Sequence, residues 1–353
     1  LEIKDKIRFS EVVNRKIRES ITLVENFEFF WTKVEKKEKR NLLELKQLAT
    51  VQSIGSSTRI EGSIMTDGEI ASIIKDIAIT KMESRDEQEV VGYFDVLNLV
   101  YESYDDINLS ENSIKQLHGI LLKHSAIDQR HKGDYKNLSN KVVANYADGT
   151  QKTVFKTTEP HLTAKEMMEL IDWTNAELHS KELHPILIIA VFVYEFLSIH
   201  PFQDGNGRLS RLLTTLLLLR SKYTFIQYIS FENHIEYNKD AYFGALMTGQ
   251  KNRYTDAEMI EEWVLFFIGS MNQLVAKLQI KYASFEQKNS VYLNERQKKI
   301  VALIRRKQPL KISDISKSIV NAPLASVKKD LAYLVANGLI KKQGNLKASI
   351  YIM

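Results

Sequence analysis

Twelve consecutive residues, His200-Pro201-Phe202-Gln203-Asp204-Gly205-Asn206-Gly207-Arg208-Leu209-Ser210-Arg211, bring together the parts of a phosphate-handling site. His200 carries the side chain whose unperturbed pKa lies near neutrality, suited to accept a proton from an attacking hydroxyl group. Asp204 offers the hard oxygen ligand that Mg²⁺ takes beside substrate phosphates. Gly205 and Gly207 permit backbone conformations that turn the N–H groups around Asn206 toward one anion. Arg208 and Arg211 are three apart, hence neighbours if a helix starts here, and two guanidinium groups can clamp terminal phosphates. A lone Gly-Asn-Gly between helices is an ordinary turn and a lone His-Pro an ordinary helix stop. A base, a metal ligand, an anion nest and a cationic clamp in one loop are not explained that way. Rival phosphate motifs are missing: there is no G-x-x-x-x-G-K-S/T, and Ser210 stands where a dinucleotide fingerprint needs its third glycine.

The flanking sequence says what must position this loop. Ile186 to Ile199 is apolar except at Tyr194, Glu195 and Ser198, which predicts a helix buried on most sides. Leu209 to Leu219 is a second apolar run, so the loop joins two core helices. The second would present its unpaired N–H groups and positive dipole end to an anion over Gly205 to Gly207. Phe202 is expected to anchor the loop in the core.

The twelve residues match every fixed position of H-x-F-x-D/E-G-N-G-R/K-x-x-R, and on that motif the chain resembles the Fic family. The resemblance implies transfer of AMP from ATP to a Ser, Thr or Tyr hydroxyl of a protein, self-modification included, with release of pyrophosphate. It further implies that His200 is the base and that Asp204 holds Mg²⁺. The ATP site would run through Gly205, Asn206, Gly207, Arg208, Leu209, Ser210 and Arg211, with the glycines on the α- and β-phosphates and the arginines on the outer ones. Upstream, Ser56-Ser57-Thr58-Arg59-Ile60-Glu61-Gly62 continues a helical pattern, and Ser57 and Glu61 share a face one turn apart. From spacing alone this reads as a fraying helix end with Gly62 as its stop. Beside the motif, Ser57, Glu61 and Gly62 resemble the family's inhibitory signature S/T-x-x-x-E-G/N, whose glutamate pairs with the second arginine, here Arg211. Gly133-Asp134-Tyr135-Lys136 is similar to the G-x-Y/F-R start of the family's flap region, with lysine replacing the usual arginine. Asn140 to Pro160 is rich in β-branched residues around Asp148-Gly149, a hairpin pattern. Within it Val154, Phe155, Lys156 and Thr157 are the candidate flap strand beside the nucleotide. Tyr242-Phe243 falls where many members place a Tyr-Tyr pair against the nucleoside.

Scarce proline and glycine and pervasive helical periodicity predict a mainly α protein; the resemblance implies that it contains a Fic-type helical core with a β-hairpin flap, and the C-terminal pattern adds a winged helix-turn-helix domain. Expected domains are residues 1–100, an N-terminal helical region with the inhibitory helix; 101–280, the catalytic core; and 291–353, the winged helix. The polar stretch Ser284 to Asn294 reads as a linker. Residues 291–353 hold thirteen Lys or Arg against three acids, a balance of +10; with +5 for the whole chain, everything upstream carries −5. Three short helices are expected there, at 295–306, 312–319 and 325–337, followed by two strands around Gly344-Asn345. Lys328 and Lys329 sit in the proposed recognition helix, where DNA is one candidate partner and protein docking, a second copy of this chain first, is the other.

The absence of cysteine excludes disulfides and thiolate metal sites, and no histidine spacing suits zinc. The longest apolar runs noted, 186–199 and 209–219, fall short of the ~20 residues that span a bilayer, so no membrane association and a cytoplasmic location are expected. Two function classes stay open: an autoinhibited protein adenylyltransferase using ATP and Mg²⁺, or a DNA-binding regulator with a Fic sensor core. Removal of AMP from a modified protein is an alternative within the first.

Overall fold

A computed structural model describes residues 3–38, 42–77, 82–145, 151–290, 293–319, 322–344 and 349–353. The chain divides into two compact units, Leu1–Ala276 and Lys277–Met353. In the first, α1 (Ile3–Lys6), α2 (Glu11–Glu38), α3 (Leu43–Ile60), α4 (Asp67–Lys75), α5 (Arg85–Ser103) and α6 (Glu111–Leu121) precede a hairpin of β1 (Lys141–Asn145) and β2 (Gln151–Lys156). There follow α7 (Pro160–Ser180), α8 (Pro185–Ile199), α9 (Asn206–Arg220), a 3₁₀ turn at Thr224–Gln227, α10 (Phe231–Tyr237), α11 (Lys239–Gln250) and α12 (Glu261–Ser290), which continues past the boundary at Ala276.

The core forms around α8. Ile186 and every residue from Ile188 to Ile199 are buried, so this helix is covered on all sides. It packs between α7 and α9, and Trp263 of α12 donates its indole N–H to the Ala190 carbonyl at 2.7 Å, satisfying a buried donor. Helix α5, which also reaches α9, starts at a capping box. Ser84 accepts from the Glu87 N–H at 3.2 Å while Glu87 accepts from the Ser84 N–H at 2.9 Å, a motif worth about 1 kcal/mol.

The hairpin is antiparallel, with Lys141 opposite Lys156 and a register shift between Val142 and Val143. Its proposed turn, Asp148-Gly149, lies outside the described residues. Residues 284–290, expected as a linker, belong to α12. The same helix corrects the reading of apolar runs. Its residues 261–285 are long and apolar enough to cross a membrane by length and composition, though half of that window is buried in the protein. Trp263, Val264, Phe267, Ile268 and Met271 form its inward stripe. Interspersed polar residues such as Asn272 and Gln273 had hidden its length.

The second unit contains α13 (Glu295–Lys307), β3 (Leu310–Lys311), α14 (Ile312–Ser318), α15 (Leu324–Ala336), β4 (Lys341–Gln343) and β5 (Ile350–Ile352). The strands make an antiparallel sheet of order β3-β5-β4. Ile300, Ile304, Ile315, Val327, Leu331 and Leu334 pack its core. The three helices fall within two residues of their expected bounds; the two-residue β3 carries too little periodicity to be read from sequence.

Candidate active site

The loop between α8 and α9 is built by two residues with left-handed backbone. His200 ends α8 at φ +53°, its N–H bonded to the Phe196 carbonyl at 2.9 Å, and Gly205 precedes α9 at φ +79°. Between them Phe202 is fully buried and exchanges two hydrogen bonds with Asn206: its N–H donates to Oδ1 at 2.9 Å and its carbonyl accepts from Nδ2 at 2.8 Å. Phe202 is thus the core anchor that the sequence predicts, and Asn206 uses its side chain to brace the loop.

Gly205 supplies no side-chain cap to α9, so the first N–H groups of that helix remain available to an anion. The Glu61 carboxylate lies there. A methyl group on Gly207 would stand 2.2 Å from Glu61 Oε1, so the carboxylate needs the missing side chain at 207. Glu61 Oε1 accepts from Arg211 Nη2 at 2.8 Å. Arg211 also donates from Nε to Ser57 Oγ at 2.8 Å and from Nη2 to the Ser57 carbonyl at 2.9 Å. Burial works to raise the Glu61 pKa, but the charge and hydrogen bond of Arg211 outweigh it and hold the carboxyl below its ordinary value.

Helix α3 keeps its three consecutive hydroxyls because each has a buried partner. Ser56 Oγ accepts from Asn233 Nδ2 at 3.1 Å, Ser57 takes Arg211, and Thr58 Oγ1 donates to the Ile54 carbonyl at 3.0 Å. The helix end is pinned by Arg59, whose guanidinium is bidentate on Glu236 at 2.6 and 3.0 Å, and by Lys239, which donates to the Ile60 carbonyl at 2.9 Å. Gly62, at φ +111°, then turns the chain away.

His200 Nδ1 lies 3.3 Å from the Leu197 carbonyl, which assigns the proton to Nδ1 and leaves Nε2 as an acceptor. Burial, then the nearby Lys136 charge, push the imidazole down to about 4, against the pull of that hydrogen bond and of Glu61 and Asp204. The ring is therefore neutral near pH 7, as a proton acceptor must be.

Arg208 is engaged differently from Arg211. Its Nη2 donates to Asp204 Oδ2 at 2.7 Å and its Nη1 sits 3.2 Å from Glu89 Oε2 on α5, while Nε is buried without a hydrogen-bond partner. Asp204 is partly exposed. Among the described residues no group of three or more metal-ligating side chains converges. One carboxylate fits a Mg²⁺ ion held mainly by substrate phosphate oxygens and water.

These groups line a cleft of about 600 Å³ that contains Glu61, His200, Asp204, Gly205, Asn206 and Gly207, with Arg211 at its wall. Tyr242, buried, and Phe243, partly exposed, line its apolar end with Leu246 and Met247. Of the flap candidates, Phe155 reaches the cleft; Lys156 and Thr157 border a neighbouring groove. Val154 contributes backbone to β2. Arg208 lies behind the loop. Leu209 is fully buried and Ser210 donates its hydroxyl to the Gly207 carbonyl at 2.8 Å, so neither side chain faces the cleft.

His118 on α6, which the sequence marks only as lacking a zinc spacing, belongs to the site. It is fully buried, stacks on Phe202 with ring centroids 3.8 Å apart, accepts from the Gly133 N–H at 2.8 Å and bonds the Asp204 carbonyl from Nε2 at 3.0 Å. Because Nδ1 accepts, Nε2 carries the proton, and burial pushes this ring down to about 4. His118 thus braces the metal-ligand candidate from behind. No local signal marks it; its partners lie 15 and 86 positions away.

Residues 108–218 match the family model of the Fic/DOC family. Curated relatives described as "Protein adenylyltransferase Fic" from Drosophila sechellia and Drosophila melanogaster are 32% identical over 180 residues, covering 50% of this chain and 34% of each relative. The chain spans about one third of the length of these relatives. A Fic family protein from Desulfovibrio desulfuricans superposes with a TM-score of 0.65 at 18% identity, covering 99% of this chain and 97% of the other. A Fic domain containing signaling protein from Bacteroides thetaiotaomicron gives 0.58 at 21%, covering 74% and 95%. Motif, geometry and likeness agree: residues 108–218 of this chain carry the domain of the Fic/DOC family.

Proposed function

We propose that this chain is a protein adenylyltransferase held in check by Glu61. In this reading His200 Nε2 takes the proton of a Ser, Thr or Tyr hydroxyl on a target protein. The hydroxyl oxygen attacks the α-phosphorus of ATP, the bond to the bridging oxygen breaks, and pyrophosphate leaves. The open N–H groups of α9 and Arg211 stabilise charge on the phosphates, and the apolar end at Tyr242 and Phe243 receives the nucleoside. Asp204 would hold Mg²⁺, which supplies charge neutralisation for the phosphates. The name borne by the curated relatives supports this chemistry.

The observation that carries the reading is that His200 and the uncapped N-terminus of α9 share one cleft, while the Glu61 carboxylate lies against Gly207 and engages Arg211. Removing the carboxylate frees both the arginine and the space. The test is incubation with labelled ATP and Mg²⁺, comparing native protein with Glu61→Gly. Label should enter protein strongly only in the variant; equal labelling of both removes Glu61 from the mechanism, and no labelling of any protein removes the transferase reading.

A second reading rests on the same carboxylate. Glu61 keeps part of its side chain open to the cleft, so it is also placed to direct a water at an AMP-modified side chain. Release of AMP from modified protein, lost in Glu61→Gly, identifies that reaction.

For the second unit we infer a winged helix, with α15 as recognition helix and β4–β5 as wing. Lys328, Lys329 and Lys342 are exposed. If duplex DNA is the partner, affinity falls steeply with salt as counterions are released, and Lys328→Glu with Lys329→Glu weakens binding more than the same changes at Lys298 and Lys299. Anisotropy titration of the full chain at two salt concentrations checks this. No binding at low salt leaves protein docking.

A further inference from the structure

Lys136 is 4% exposed, yet no carboxylate accepts from its ammonium group in its three hydrogen bonds. It donates instead to three neutral oxygens: Asn140 Oδ1 at 2.9 Å, Thr157 Oγ1 at 2.9 Å and the Ile199 carbonyl at 3.0 Å. The Lys136 main-chain N–H donates to the Pro201 carbonyl at 2.8 Å, and Asn140 Nδ2 donates to the Phe202 carbonyl at 2.9 Å. Thr157, one residue beyond β2, closes the group by donating to the Asn140 carbonyl at 2.9 Å. Two residues four apart therefore hold the carbonyls on both sides of His200, including one of the orphan acceptors at the end of α8, where a cation is favoured. Between those held carbonyls stands His200 at φ +53°, a conformation that a non-glycine residue keeps only when its surroundings enforce it.

We propose that Lys136 is a positioning residue for His200: it fixes the backbone on either side of the imidazole and sets the electrostatic surroundings of the ring. The inference rests on the reading of His200 as the base. The charges acting most strongly on His200 are those of Lys136, Glu61 and Asp204, and of these three the ammonium favours the neutral ring; Arg211, Lys239 and Asp240 line the same cleft. Lys136 itself faces Glu159 and Glu166, which favour its charge, and Arg253, which opposes it; burial dominates and pushes it down to about 8, so it remains mostly charged at pH 7. The arrangement links three places at once: the flap base at Thr157, the segment entering β1 at Asn140, and the base.

The experiment uses the full chain carrying Glu61→Gly, with histidine labelled in the ring nitrogens and the His200 signals assigned by their loss in His200→Gln. Lys136 is compared with Lys136→Met, which keeps length without charge or donors. Two changes are expected: the His200 ring titrates about one unit higher, and kcat for AMP transfer falls about tenfold while KM for ATP stays within about twofold. A fall in kcat with an unmoved His200 titration makes Lys136 a structural strut and overturns the proposal; so does a moved titration with unchanged kcat. If the Glu61→Gly chain transfers nothing, the adenylyltransferase reading fails, and the ring titration alone decides the role of Lys136. Should Lys136→Met fail to fold, Thr157→Val removes one acceptor and should move the titration in the same direction by less; no movement overturns the proposal.

Discussion

The motif loop has two flanks, and they act on it in different currencies of force. On one side α3 brings charge: Glu61 enters the anion position and, with Ser57, engages Arg211. On the other side α6 and the segment leading into the hairpin hold the loop's carbonyls: His118 on Asp204, Lys136 on Ile199 and Pro201, Asn140 on Phe202. The first flank decides what occupies the cleft, because an ion contact at a partly exposed carboxylate can be exchanged for another anion. The second decides the shape of the cleft, because buried hydrogen bonds cannot be released without leaving unsatisfied groups that cost about 1–3 kcal/mol each. On the proposed reading, control of the cleft and construction of its loop thus fall to separate parts of the chain.

Replacing the residue that both flanks surround should produce the largest effect. His200→Ala removes a general base, whose help typically contributes about 10² to 10⁴-fold, so transfer in the Glu61→Gly background should fall by that range while ATP binding persists. Retained self-labelling by this variant would mean that neither flank is arranged around a base.

His118→Phe tests the constructive flank. It keeps a ring against Phe202 but loses the bonds to Asp204 and Gly133, so denaturant unfolding should show a loss of about 1–3 kcal/mol, and transfer should fall with it. Unchanged stability and activity would show that the loop holds itself.

A smaller effect is expected from Ser57→Ala on the regulatory flank. Arg211 loses one of its three bonds to α3 but keeps Glu61, so basal transfer should rise by about fivefold, less than in Glu61→Gly, corresponding to a bond of about 1 kcal/mol. A rise equal to that of Glu61→Gly would place control in the serine instead.

The smallest change in activity should come from Glu28→Gln, remote from both flanks, and it calibrates the stability measurements. Burial pushes the Glu28 carboxyl up to about 7, against hydrogen bonds from Thr32, Thr224 and the Phe225 N–H. The folded state therefore keeps a proton that the unfolded chain releases between the ordinary carboxylate value and pH 7, so the native protein loses stability across that window. Glutamine does not ionise. Its advantage should be absent at pH 4 and reach about 1–3 kcal/mol above pH 7, and a pH-independent difference would mean that Glu28 is ionised in the folded protein.

The two flanks also differ in how they could be read. The contact of α3 with the loop was legible because Ser57 and Glu61 lie one helical turn apart and share Arg211, which closes the motif; its regulatory role is our proposal. The constructive one was not: His118 bonds Asp204 across 86 positions and Lys136 bonds Ile199 across 63, and no local pattern encodes such contacts. Lys136 was noticed only as a departure from a family pattern. The helices of the core were legible from their apolar runs, whereas α12 was concealed by polar residues interspersed along it, and the short β3 offered nothing periodic to detect. The role expected of Leu209 and Ser210 came from their place within a motif, which does not say which way a side chain points.

The left-handed backbone of His200 sets stability against function at a single position. An L-residue there costs about 1–2 kcal/mol that glycine would not incur, so the local preference of the chain would be better served by glycine, which offers no imidazole. Selection for a sturdier fold alone would erode this site first at its reactive atom. A screen for thermally hardened variants should therefore be expected to return inactive proteins altered at residue 200, and any attempt to stabilise the chain is better directed at the exposed helix surfaces, where sturdiness and reactivity do not compete.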